Sequence, residues 1–143
     1  MPQPASTAHS SMGYMIEVKI SGAFAEIYEA YAIPFPSNPR DEIDVTTLGS
    51  PDQEEEFILG VKRHGEMSFE VNFLPADPTH QYLETAKDNG SKEVFKITAS
   101  DAGSRAWEFS GYVKQFNPMA AVNQAAKTTL IIKATGAITK TGT

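Results

Sequence analysis

Alternation of apolar and polar side chains is clearest from Glu66 to Leu74. There Met67, Phe69, Val71 and Phe73 face one way and Glu66, Ser68, Glu70 and Asn72 the other. A period of two places successive side chains on opposite sides of an extended chain, so this stretch reads as a strand with one buried and one wet face. The pattern recurs in Met12–Ser21, with Tyr14, Ile16, Val18 and Ile20 against Met15, Glu17 and Lys19. It recurs again in Glu42–Leu48, Glu93–Ala99, Arg105–Phe116 and Lys127–Gly136. In the last of these Thr128, Leu130, Ile132 and Ala134 alternate with Lys127, Thr129, Ile131 and Lys133. One segment asks for a helix. The Asp77 carboxylate can accept a bond from a free backbone N–H, Pro78 at the first helical position loses no useful donor, and Gly90 supplies a left-handed stop. The helix Pro78–Asn89 places Tyr82, Leu83 and Ala86 on one side and Glu84, Lys87 and Asp88 outward, which suits a short helix covering a sheet.

Two segments break the pattern. Ala23–Ile33 mixes helix-favouring Ala and Glu with Phe and Tyr and fits neither period, so an irregular or strand-like insertion is expected; Pro34, Pro36 and Pro39 then forbid a continuous ladder or helix. The connection Gly49–Gly65, between two predicted strands, is too long for an ordinary hairpin turn. It runs from acidic (Asp52, Glu54, Glu55, Glu56) through apolar (Phe57, Ile58, Leu59, Val61) to basic (Lys62, Arg63, His64). A long loop without structure of its own is usually functional or disordered. Large apolar residues in its middle must fold back on the domain or be buried against another subunit.

The 143 residues, 41% hydrophobic and 21% charged, are sized for one domain with one core. The expected organisation is a flexible arm over residues 1–11, a β domain over 12–136 and a loose tail over 137–143. No apolar run approaches the ~20 residues of a membrane span, and the first residues lack the basic start and apolar stretch of a secretory signal, so no membrane role is expected. The absence of cysteine excludes disulfides, thiolate metal sites and thiol catalysis. Net charge is −6; residues 1–66 hold 11 acids against 4 Lys/Arg, whereas residues 67–143 hold 7 against 8. Such a balance argues against sequence-independent duplex binding, though not against a channel through which DNA slides without sticking. The asymmetry suits copies that meet head to tail.

Little points to catalysis. His9, His64 and His80 have no metal-ligand spacing, so no metal and no cofactor are expected. Glu66 and Glu70 could do acid–base work only in a pocket that raises one pKa, and nothing suggests one. Gly103 and Gly111 are lone glycines rather than a phosphate-binding motif. Trp107, Phe109, Tyr112 and Phe116 read as core packing before they read as a nucleic-acid platform, because Trp107, Phe109 and Val113 share a face.

Several stretches, in this order and spacing, resemble the tail tube protein family of long-tailed, non-contractile phages, related to the N-terminal domain of the lambda tail tube protein. They are Asp41–Leu48, Ser50-Pro51-Asp52, Glu56–Val61, Gly65–Phe73 and Asp77–His80, with weaker echoes in Trp107–Val113 and Thr129–Gly136. The resemblance covers residues 14 to 136 and departs from the family in residues 23–39. It implies a non-enzymatic virion protein: a β-sandwich or partial barrel with one flanking helix, assembled in the bacterial host cytoplasm into stacked homohexameric rings around a DNA channel. Gene transfer agents use the same kind of tube. Tape-measure, tail terminator and distal tail proteins are the implied partners. On that reading Asp52, Glu54, Glu55, Glu56, Phe57, Ile58, Leu59, Lys62 and Arg63 form a ring-stacking loop, Phe57, Ile58 and Leu59 packing on the adjacent ring and the charges setting orientation. Glu66, Ser68, Glu70, Asn72, Thr129, Ile131 and Lys133 line the lumen, where acidic groups would repel phosphate. Asp77 caps the helix. No further immunoglobulin-like domain is expected. The alternative is a soluble β-sandwich that binds carbohydrate or peptide through aromatic residues such as Tyr28, Tyr31 and Phe35.

Overall fold

Residues 5, 12–100 and 105–142 are described by the computed structural model. The arm expected over residues 1–11 therefore lies, apart from Ala5, outside the described residues. In chain order the elements are β1 (Met15–Ile20), β2 (Ala23–Glu26), β3 (Ala30–Ala32), β4 (Arg40–Asp44), a 3-10 turn (Pro51–Gln53), β5 (Phe57–Lys62), β6 (Glu66–Asn72), α1 (Pro78–Asn89), β7 (Lys92–Thr98), β8 (Ala106–Met119) and β9 (Lys127–Thr141).

Seven of the strands make one antiparallel sheet in the order β2-β1-β7-β8-β9-β6-β3, while β4 and β5 pair only with each other. The outermost strands of that sheet, β2 and β3, are consecutive in the chain and separated only by Ile27, Tyr28 and Glu29. A link that short pulls the two ends of the sheet together and curls it into a partial barrel. The link itself is tied to both halves: Ile27 N donates to Ile16 O on β1 (2.9 Å), and Asn72 N on β6 donates to Glu29 O (2.9 Å). Among the described residues β2 and β3 are not bonded to each other or to a further strand, so the sheet stays open at both edges. The ambiguous stretch after Gly22 is thus strand-like, as two short edge strands.

Inside the curl lies one core, formed by the inward residues of β1, β6, β7, β8 and β9 with Ile27 and the α1 residues Leu83 and Ala86. Phe95 and Phe109 stack at its centre, ring centroids 5.7 Å apart. The caps of α1 are those expected: Asp77 accepts from Thr79 N (2.9 Å), and Gly90, at φ 66°, donates to the carbonyls of Ala86 and Lys87. His80, in the first helical turn, is buried. Its Nδ1 accepts from Leu74 N (3.3 Å), which leaves Nε2–H to donate to Tyr28 O (3.3 Å) and ties helix, β6 exit and β2–β3 link together.

The bounds of several strands differ from expectation, three of them with consequences. The second expected strand, Glu42–Leu48, is Arg40–Asp44, because Val45–Leu48 turn into a loop held by side chains. The strand expected over Arg105–Phe116 is β8, running to Met119. The last strand does not stop at Gly136: it continues to Thr141, and Thr139, Lys140 and Thr141 of the tail expected to be loose pair with Glu108, Trp107 and Ala106. Gly136, at φ 79°, sits where the register slips, which makes it a bulge rather than a terminator. A second slip, between Val113 and Gln115, inserts Lys114 as an extra residue and moves the buried side chains of β8 from odd positions (Phe109, Val113) to Phe116. Trp107 opposes Ile97 as Phe109 opposes Phe95, so the two share a face as expected; the Trp107 ring packs on Phe35, centroids 4.8 Å apart.

Candidate functional site

The segment 49–65 is not the unstructured loop expected. Its second half is β5, which returns along β4 with Asp44 opposite Phe57, Ile43 opposite Ile58 and Glu42 opposite Leu59. The two strands stand apart from the main sheet as a hairpin, and its large apolar side chains are open to solvent: Ile43, Val45, Leu48, Phe57, Ile58, Leu59 and Val61 are all exposed. Directly opposed residues share a face, so Phe57 and Leu59 lie with Glu42 and Asp44 on one side and Ile58 lies with Ile43 on the other. A single flat partner on one face therefore covers Phe57 and Leu59, or Ile58, but not all three together. This corrects the expectation of one apolar patch.

The tip is ordered by its own polar groups. Glu56 N donates to Thr46 Oγ1 (2.8 Å), Val45 N to Glu56 O (2.9 Å), Ser50 Oγ to Glu56 Oε2 (2.7 Å) and Thr47 N to Ser50 Oγ (2.9 Å). The Thr46 side chain, followed by Thr46 N, which donates to Asp44 Oδ1 (2.9 Å), lowers the Asp44 carboxyl pKa from its usual value. Asp52, Glu54 and Glu55 point into solvent, whereas Glu56 is engaged in the tip. At the base Arg63 Nε donates to Asp41 Oδ2 (2.7 Å) and Arg63 N to Pro39 O (2.7 Å). Arg63 thus braces its own hairpin, a role different from the orienting one expected of it, and Lys62 is left exposed.

The residues expected to line a channel do share one wet face. Glu66 lies opposite Lys133, Ser68 opposite Ile131, Glu70 opposite Thr129 and Asn72 opposite Lys127. The face continues onto β8, where Tyr112, Gln115 and Asn117 oppose Lys133, Ile131 and Thr129. It is not an acidic strip. Lys114 Nζ bonds Glu66 and lowers the Glu66 carboxyl pKa, and Lys133 Nζ donates to His64 O. Lys114 was not singled out in the sequence, although its alternation with Tyr112 was the signal that it points outward.

Of the three aromatic residues in the ligand-binding alternative, Tyr31 and Phe35 line a cavity of about 390 Å³ together with Met12, Gly13, Tyr14, Ala30 and Ile33, and Tyr28 does not. Among the described residues no group of three or more His, Asp or Glu is placed to hold a metal ion, and no helix is long and apolar enough to cross a membrane.

A curled, open-edged sheet with one capping helix and a projecting apolar hairpin is the setting for the comparison with known families. The family described as phage tail tube, TTP, lambda-like matches residues 6–142. The chain belongs to the lambda-like phage tail tube family. Solved structures agree on the fold. A chain from the tail of an empty gene transfer agent particle, refined with C6 symmetry, superposes with a TM-score of 0.78 at 20% identity, covering 94% of this chain and 99% of that one. The SPP1 tail tube protein gives 0.65 at 15% identity over 94% and 80%. A chain of the anti-feeding prophage baseplate gives 0.70 at 15% identity over 99% and 98%. No curated protein sequence matches significantly. This tail tube protein is accordingly a structural component of a virion tail.

Proposed function

We propose that copies of this chain form hexameric rings that stack into a tube through which DNA passes to the host. The observation that carries the reading is the β4–β5 hairpin, which presents seven large apolar side chains to solvent at a distance from the core. A lone soluble chain gains nothing from such a surface, whereas burying each side chain is worth about 1.5–3 kcal/mol. The short edge strands β2 and β3 are the natural joints within a ring, because pairing between neighbouring copies removes open edges that otherwise invite uncontrolled association.

The hairpin then bridges successive rings, with Lys62 and the acids Asp52, Glu54 and Glu55 setting orientation more than affinity. The wet face of β6, β9 and β8 lines the lumen. Its charges are mixed and partly paired internally, so the wall offers DNA no uncompensated cationic track to bind. Tape-measure, terminator and distal tail proteins meet the two ends of such a tube. Light scattering at rising concentration, with images of negatively stained protein, tests the reading: rings or long polymers support it, and a monomer that stays monomeric at every concentration contradicts it.

A further inference from the structure

A hairpin tip that bridges rings needs a surface to receive it, and the chain carries a matching one. Leu48, at the tip, is fully exposed, so no described residue of its own chain seats it. Residues 45–56 around it contain the acids Asp52, Glu54, Glu55 and Glu56 and no Lys or Arg. A complementary surface is apolar at its centre and cationic at its rim. The cavity of about 390 Å³ beside β3 has that chemistry: Tyr31, Ile33 and Phe35 supply apolar walls. One cation stands against a wall residue and a second lies one ring behind another. Lys127 Nζ lies 5.1 Å from the Tyr31 ring centroid. Arg105 lies 5.5 Å from the ring of Trp107, which in turn packs on Phe35. Among the described residues neither Lys127 nor Arg105 is in an ion pair.

We propose that this cavity is the socket for the hairpin tip of a second copy, with Leu48 as the plug and Asp52, Glu54 and Glu55 meeting Lys127 and Arg105. The proposal rests on the ring-stacking reading above and names the surface that reading requires. Plug and socket lie on different parts of one chain, so each contact leaves a free tip and a free cavity. Such a heterologous contact propagates instead of closing as a dimer.

Because the chain has no cysteine, a disulfide can report the contact directly. The double variant Leu48→Cys with Tyr31→Cys, assembled and then oxidised, is expected to give a ladder of covalent oligomers on a non-reducing gel, and each single variant none. A covalent dimer from Leu48→Cys alone would mean that tips meet tips, which overturns the socket. Tubes that form normally without a ladder, or with a disulfide inside one chain only, also overturn it while leaving the stacking reading intact; absence of rings and tubes from the wild type defeats both. Replacing Leu48 with Ser is expected to raise the critical concentration for growth about tenfold to a hundredfold, the effect of one buried leucine on an association constant. Lys127→Glu with Arg105→Glu is expected to block growth, and adding Glu54→Lys with Glu55→Lys to restore it. A quadruple variant that melts like the wild type yet stays unassembled counts against the socket.

Discussion

Replacing Phe57 and Leu59 together with threonine separates assembly from folding. The two side chains share one face of the hairpin and are 48% and 63% exposed in the single chain. Covering the exposed half of each contributes about half the value of complete burial, roughly 1.5–3 kcal/mol for the pair. At 1.4 kcal/mol per decade that is about a 10- to 150-fold loss in each subunit contact. A ring of six adds through six such contacts at once, so the loss is about 9–18 kcal/mol per ring. Threonine is β-branched and keeps the extended conformation that β5 needs. The stability of the isolated chain is therefore expected to stay within about 0.5 kcal/mol of wild type, as for other exposed substitutions. Urea denaturation measures the second quantity and electron microscopy with sedimentation the first. Single rings or free chains from a normally stable variant are the expected outcome. Tubes of ordinary length at ordinary concentration would remove this face of the hairpin from the contact.

Three further substitutions test the fold that carries these surfaces. A Cβ on Gly111 would lie 2.7 Å from Lys133 O and 3.0 Å from Ile132 Cγ2, so Gly111→Ala must push β8 and β9 apart and is expected to cost about 1–3 kcal/mol in denaturation. Asp77→Ala removes the acceptor for Thr79 N and is expected to cost about 0.5–2 kcal/mol by the same assay, with Asp77→Ser recovering most of it. Glu66 has its folded pKa lowered by the bond from Lys114, so its contribution to stability is full above the ordinary glutamate range and is lost as pH falls through the lowered value. Melting temperatures across that window are expected to fall less steeply for Glu66→Gln than for wild type, and identical slopes would show that the pair does not form.

What could be read from residues alone was what period two and helix caps encode. β6 and the first ten residues of β9 alternate cleanly, and the wet face deduced from them is the one the register assembles. The caps of α1 were legible because Asp77, Pro78 and Gly90 each have a local stereochemical reason to be there. β5 was hidden because Phe57, Ile58 and Leu59 are consecutive apolar residues without alternation, in a strand exposed on both faces. Its partner β4 is stopped early by the Thr46, Ser50 and Glu56 network, which joins residues far apart in the tip. Gly136 looked like an end because a lone glycine carries the same mark whether it terminates a strand or bulges it. The position of Trp107 against Phe35 and the pairing of Arg63 with Asp41 depend on contacts between distant segments that no local pattern encodes.

The most direct test of the central claim is a cryo-electron-microscopy reconstruction of the purified chain after concentration. The expected result is a tube of sixfold rings in which Arg40–Lys62 of each copy reaches the next ring and the faces bearing Glu66, Ser68 and Glu70 look onto an open bore. A polymer in which that hairpin remains in solvent, or a wall formed by the opposite faces, would contradict the account.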